Sequence, residues 1–246
     1  MEKIRFINTQ FALFFGKPID RPEIYISDFT KEMGDVFDQS PLAIPIPNSL
    51  EFVNTPIVQF TSSNGLYACG FARQRADYYH YSSDRKKQYE FNEIKDIFLK
   101  NIEKYFNFFS TKTKINRIGF LTKFFIDEPQ SKIIANLLDD DFKKIHGGDI
   151  QSAKLQYISR IKNKSEEFIL NNSTMIEKTK TVLFEDSIET PKDGILITRD
   201  FNTIPEKTGD YEGKFTAEKI KQIIKDGEEN FKLDDISKLL WNHTQN

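Results

Sequence analysis

A single cysteine, Cys69, stands among the 246 residues, which rules out an internal disulfide and any cysteine-rich zinc site. The three histidines, His80, His146 and His243, lie far apart, and none has the i, i+4 spacing of a helical zinc motif. There is no Gly-x-Ser-x-Gly elbow, no phosphate-cradling glycine loop and no dinucleotide fingerprint. Basic charge is not in excess: 35 Lys and Arg stand against 37 Asp and Glu, so no overall field attracts phosphate, and nucleic-acid binding would need a local patch. No apolar run approaches the roughly 20 residues that span a bilayer. The opening "MEKIRFINTQFALFFGKP" has only a short apolar run and no small-residue cleavage site after it, so it does not read as a secretory signal. A cytoplasmic protein with no membrane part, no cofactor and no metal is expected.

What the chain has in abundance is phenylalanine, 23 residues of it, and rings of that size supply much of the buried area of a core. Their spacing predicts the elements. "IRFINTQFALFF" reads as a strand, and "ISDFTKEMGDVF" as a short amphipathic helix with Ser27 or Asp28 as its cap. "PIVQFTSSNGLYACGFARQ" reads as two strands joined by a type I′ turn at Ser63-Asn64-Gly65, and "ADYYHYSS" as a further strand. From Phe91 to Phe109, apolar residues recur every three or four positions, the strongest helical pattern in the chain.

"INRIGFLTKFFI" is then a strand, and "SKIIANLLDDDF" a helix closed by His146-Gly147-Gly148. "AKLQYISRI", "EEFIL", "STMIEKTKTVLFED" and "GILITRDFNTI" follow as meander strands, "FTAEKIKQIIKDGEENF" as a helix, and "LDDISKLLW" as the last one.

The order of elements repeats. Setting "ADYYHYSSDRKKQYEFNEIKD" and the helix after it beside "RDFNTIPEKTGDYEGKFTAEKIK" and its helix puts Asp77 opposite Asp200, Tyr89 opposite Tyr211 and Phe106 opposite Phe231. The expected fold is α+β, made of two similar halves, residues 1–128 and 129–246, each an antiparallel meander covered by an amphipathic helix in one compact unit. Asp77 and Tyr78, matched in both halves, read as fold residues. Tyr79, His80 and Tyr81 belong to one half only.

The succession "TPIVQFTSSNGLYACGFARQRADYY", "YEFNEIKDIFLKNIEKY", "INRIGFLTKFFI" and "GILITRDFNTI" resembles a sporadically distributed family of uncharacterised bacterial proteins of similar length, over most of the chain from Arg5 to Trp241. The resemblance implies a duplicated α+β fold, with a patchy distribution like that of mobile or defence-linked genes. It supplies no functional residues.

Among groups that carry chemistry, the acidic run Asp139-Asp140-Asp141 reads as a solvated helix end, because its carboxylates point in different directions and lack the spacers of a calcium loop. Asp127, Glu128, Glu185 and Asp186 would serve a magnesium-dependent nuclease only if the fold gathered them. A thiolate at Cys69 with His80 as base is a further alternative to a plain buried cysteine.

The basic and aromatic set is the best candidate. Arg73, Arg75, Tyr79 and Tyr81 share one parity of a strand, Tyr78 and His80 the other, and Arg85, Lys86 and Lys87 would extend the patch. Against it stands the plainer reading that Tyr79 and Tyr81 cover the helix at Phe91 to Phe109 while the arginines reach solvent or pair with Asp77. The function expected is a non-catalytic binding or interaction protein, an accessory or regulatory component of a bacterial defence or mobile-element system, whose partner is another protein or itself. A metal-dependent nuclease or hydrolase and a single-stranded RNA-binding module are the alternatives.

Overall fold

The computed structural model describes residues 4–47, 49–84, 87–126, 154–185 and 188–229. The expected helices at "SKIIANLLDDDF" and "LDDISKLLW" lie outside the described residues, as do Asp127, Glu128, Asp139 to Asp141, His146, Asp186 and His243.

Two twelve-residue strands, β1 (Ile4–Phe15) and β6 (Ile115–Ile126), lie side by side at the middle of one nine-stranded antiparallel sheet. Beyond β1 come β5 (Arg75–Tyr81), β4 (Tyr67–Phe71), β3 (Val58–Thr61) and the two-residue edge β2 (Leu42–Ala43). Beyond β6 come β9 (Ile188–Thr203), β8 (Ile169–Glu185) and β7 (Lys154–Lys162). The class is α+β, as the sequence predicts. On the β5 side of the central strands Phe11 pairs with Tyr78 and Ala12 with Asp77; on the β9 side Phe120 pairs with Phe201 and Leu121 with Asp200.

Period-two alternation decides which side chains face the helices. In β6, Ile118, Phe120 and Phe124 are buried, while Arg117, Gly119, Leu121 and Lys123 between them are half-buried on the other face. The helices α1 (Ile26–Met33), α2 (Phe91–Ser110), α3 (Thr208–Tyr211) and α4 (Ala217–Glu229) all supply buried residues to the core that holds Phe11, Leu13, Tyr78, Phe120 and Phe201. That core is built on rings. Phe29 of α1 has six others around it, those of Phe37, Phe60, Phe71, Tyr105, Phe108 and Phe109, at centroid distances of 4.6–6.3 Å. Among the described residues no helix is long and apolar enough to cross a membrane.

Several local expectations change. Helix α1 starts out of a 3-10 turn at Pro22–Tyr25, so its N-cap is Tyr25 and neither Ser27 nor Asp28 caps it. The turn at Ser63-Asn64-Gly65 is not type I′, which needs two successive positive φ angles, because only Gly65 has one, at 76°. The reason is local. The Gly65 amide donates to the Ser62 carbonyl, Asp38 accepts hydrogen bonds from the Ser63 amide and hydroxyl, and Asn64 Oδ1 accepts one from the Leu66 amide, so side chains brace the turn without positive φ at Ser63 or Asn64. "EEFIL" and "STMIEKTKTVLFED" do not give two strands: Ile169–Glu185 is continuous and pairs along its length with β9. α2, by contrast, starts where the pattern begins, closed by a capping box between Glu90 and Glu93.

Truncating the most enclosed ring tests where the stability lies. Phe29→Ala is expected to cost about 3–5 kcal/mol in urea unfolding. Phe52→Ala, at a position 38% exposed, should stay within about 0.5 kcal/mol of the parent.

Candidate binding site on the helix-free face of the sheet

The strand residues that point away from the helices belong to neither hydrophobic cluster, and no described helix packs across them. Following the register from strand to strand, one row runs Gly70, Asp77, Ala12, Gly119, Asn202, Asn171. The adjoining row runs Ala68, Tyr79, Gln10, Leu121, Asp200, Ser173. Small residues in the middle of the first row leave a shallow floor, and longer polar side chains stand around it. The resulting cavity, about 130 Å³, is lined by Gln10, Phe14, Arg75, Arg117, Leu121, Asp200 and Asn202 above Ala12 and Gly119.

Its polar groups fall into two sets. In the first, Arg75 donates from Nε and Nη2 to Asp77 Oδ1, at 2.8 and 2.7 Å, and Gln10 donates to the same oxygen at 2.7 Å. This is a closed ion pair. In the second, Arg117 donates to neutral oxygens only, the Thr203 carbonyl and Asn202 Oδ1, both at 3.1 Å. Asn202 in turn donates to Asp200 Oδ1 at 2.8 Å.

A carboxamide thus bridges Arg117 and Asp200, and among the described residues neither forms a direct ion pair. The guanidinium groups of Arg75 and Arg117 both lie against the ring of Phe14, at 5.0 and 4.6 Å from its centroid. Burial lowers the Arg117 pKa from its usual value, against the pull of Asp200, and the neighbouring Arg75 charge adds to the lowering. Burial raises that of Asp200, against the pull of Asn202 and the arginines.

The residues expected to form the patch are divided by this geometry. Arg75, Tyr79 and Tyr81 are on the helix-free face, where the two tyrosine rings stack 6.1 Å apart at 11°. They do not cover α2. Burial pushes the Tyr79 phenol up to about 12 and raises Tyr81 as well, so both stay neutral. Arg73 departs from the expectation, because the strand ends before it: it lies in the turn between β4 and β5, 7% exposed. There it donates to the carbonyls of Asp20, Ile46 and Pro47. It holds two loops together.

His80 also departs from the expected patch, lying on the helix side, 1% exposed, between Tyr67 and Phe98. Burial there lowers its pKa to about 4. Cys69 is buried too, its thiol pushed well up, so the pair holds neither a thiolate nor an imidazolium at neutral pH. Lys87 binds Glu93 in the first turn of α2 at 2.8 Å and does not extend the tyrosine pair, while Arg85 and Lys86 lie outside the described residues. Tyr78 is a core residue, its hydroxyl accepting a hydrogen bond from Asn101. Asp77, read as a fold residue, is in the cluster.

Gln10, Phe14, Arg117, Gly119 and Asn202 are not among the site residues expected from the sequence, although the Arg-Ile-Gly of "NRIGF" is part of what carries the family resemblance. The signal that identifies them is the parity of β1, β6 and β9, in which polar or small residues alternate with buried ones. Among the described residues no group of three or more His, Cys, Asp or Glu stands where it could hold a metal ion.

The raised pKa of Asp200 has a sign that can be checked. The folded state protonates this carboxyl more readily than the unfolded chain does, so its ionised form subtracts from stability above the carboxylate range. That penalty fades as pH falls toward the ordinary value of 3.8. Asp200→Asn, whose side-chain oxygen still accepts from Asn202, is expected to raise Tm at neutral pH. The gain should shrink on acidification, as followed by thermal unfolding across a pH series.

No family model and no curated protein matches the chain.

Proposed function

We propose that the protein is a non-catalytic binding protein whose working surface is the helix-free face of the sheet, centred on Arg117. The observation that carries this reading is a half-buried guanidinium that has no carboxylate partner among the described residues, one amide away from a half-buried carboxylate that has no cationic one among them. Arg75 and Asp77 on the same face, by contrast, close their pair directly. Tyr79 and Tyr81, stacked and half-buried on the same face, offer a larger partner room to rest, another protein or a second copy of the chain. The resemblance to a patchily distributed bacterial family suggests an accessory role in a defence or mobile-element system.

We also infer an internal duplication. The matched pairings of Asp77 with Ala12 and of Asp200 with Leu121 support it, as does the mirrored order β3-β4-β5-β1 and β6-β9-β8-β7. That order favours a second unit beginning at β6 rather than after residue 128.

Single-stranded RNA is the second reading, favoured by the stacked tyrosines beside Arg75 on an open sheet. The charges on this face speak against it. Arg75 is neutralised by Asp77, and Asp200 repels phosphate.

Two measurements separate the readings. Arg117→Ala should keep the circular dichroism and Tm of the parent while losing whatever ligand or partner native mass spectrometry finds on protein isolated from its own cells; a control at exposed Arg21 should retain it. In fluorescence anisotropy at low salt, labelled single-stranded RNA is expected to show no saturable binding. Saturable binding that weakens with salt and with Tyr81→Ala would move the assignment to RNA.

A further inference from the structure

The cavity on the sheet has the size, charge and spacing of a receptor for one kind of small molecule. We propose that it binds a small zwitterion with a carboxylate and an ammonium on the same carbon, the chemistry of a free α-amino acid with a short side chain. The proposal rests on the reading of this face as a binding surface and names what its centre takes.

Size is the first argument. About 130 Å³ is far more than the ~10–15 Å³ a single water needs, and well short of the ~300–1,000 Å³ of pockets for drug-sized ligands. Charge is the second. Arg75 is matched by Asp77, which leaves Arg117 and Asp200 as the charged groups of the cavity without an ion-pair partner among the described residues. A simple anion at Arg117 would be repelled by Asp200, and a simple cation at Asp200 by Arg117. A molecule carrying both charges completes two ion pairs and leaves the site neutral, which is the condition for holding charge at a half-buried position.

Spacing is the third. The two charges are linked by one carboxamide, with contacts of 3.1 Å at its oxygen and 2.8 Å at its nitrogen. A carboxylate and an ammonium on one carbon span a similar number of bonds, so an amino acid lies alongside Asn202 and reaches both ends. Phe14 and Leu121 form an apolar wall for its side chain, and Gln10 stands beside them. The floor limits that side chain: a Cβ at Gly119 would sit 3.6 Å from Asn202 Cβ and 3.8 Å from Ala12 Cβ, ordinary contacts that take up space without forcing anything to move.

Isothermal titration calorimetry and thermal shift on the full chain test this, with glycine, L-alanine and L-serine as probes and acetate, methylammonium and β-alanine as comparisons. The α-amino acids are expected to bind saturably and raise Tm. The singly charged ions and the longer β-alanine should do so at least about tenfold more weakly. Arg117→Gln should weaken amino-acid binding by about tenfold or more. Asp200→Asn should abolish the preference for alanine over acetate, a change in selectivity that mere loosening of the sheet would not produce.

Gly119→Ala should fold like the parent and bind the larger probes less well. The inference is overturned if none of the three amino acids binds saturably, or if Arg117→Gln binds them as the parent does. Should the amino acids fail while a larger partner is still lost with Arg117→Ala, this inference falls and the face remains a binding surface. If neither binds, both readings fall.

Discussion

The pairing of β1 with β6 is the constraint on which the molecule depends. Each strand carries a meander on its far side, and only their contact makes the two meanders one sheet. The register is fixed from within, where the hydroxyls of Thr9 and Thr122 lie 3.3 Å apart and Thr9 also donates to the Leu121 carbonyl. A slip of one residue would turn Arg117 and Gly119 into the aromatic core and Phe120 out to the polar face. The same register sets Phe14 opposite both Arg75 and Arg117, so the two guanidinium groups share one ring.

The two faces of that sheet follow opposite rules. Toward the helices, burial holds His80 and Cys69 uncharged, while Arg199, whose pKa burial lowers to about 10, keeps its charge and donates to the Gly227 carbonyl. Away from the helices, charged groups stand close together in partly dry surroundings. There the difference between a closed pair and an open one carries meaning. Arg75 and Asp77 satisfy each other; Arg117 and Asp200 are held apart by Asn202, which bonds to both. A carboxylate beside an arginine usually titrates below its ordinary range, and the upward shift of Asp200 shows that burial outweighs the cations at this distance.

Much of the fold was legible in the residues. The 3.6-residue pattern of α2 and the alternation of "INRIGFLTKFFI" gave those elements nearly to the residue, because each is an uninterrupted run with one wet side and one dry side. Within β5 the parity was legible as well, separating Arg75, Tyr79 and Tyr81 from Tyr78 and His80. Parity does not say which side the helices cover, since that depends on strands distant in sequence, so the tyrosines could be read as helix contacts.

Arg73 was misjudged because counting by twos fails once the strand has ended, and nothing local reveals that three carbonyls from two other loops converge on it. The cluster itself was half visible. Aligning the halves singled out Asp77 and Asp200, but their partners Gln10, Arg117 and Asn202 come from other strands and meet only through pairing.

The long reach of the central pairing also fixes an order of events during synthesis. Thr9 and Thr122 are 113 positions apart, whereas Gln10 and Asp77 are separated by 67. Closing the longer loop has the greater entropic cost and must wait for more chain. As the polypeptide emerges, β5 becomes available to β1 well before β6 does, so the closed Arg75–Asp77 pair can form on the nascent chain. Arg117, Asn202 and Asp200 join last, which makes completion of the open half of the cluster a mark that the whole sheet has assembled.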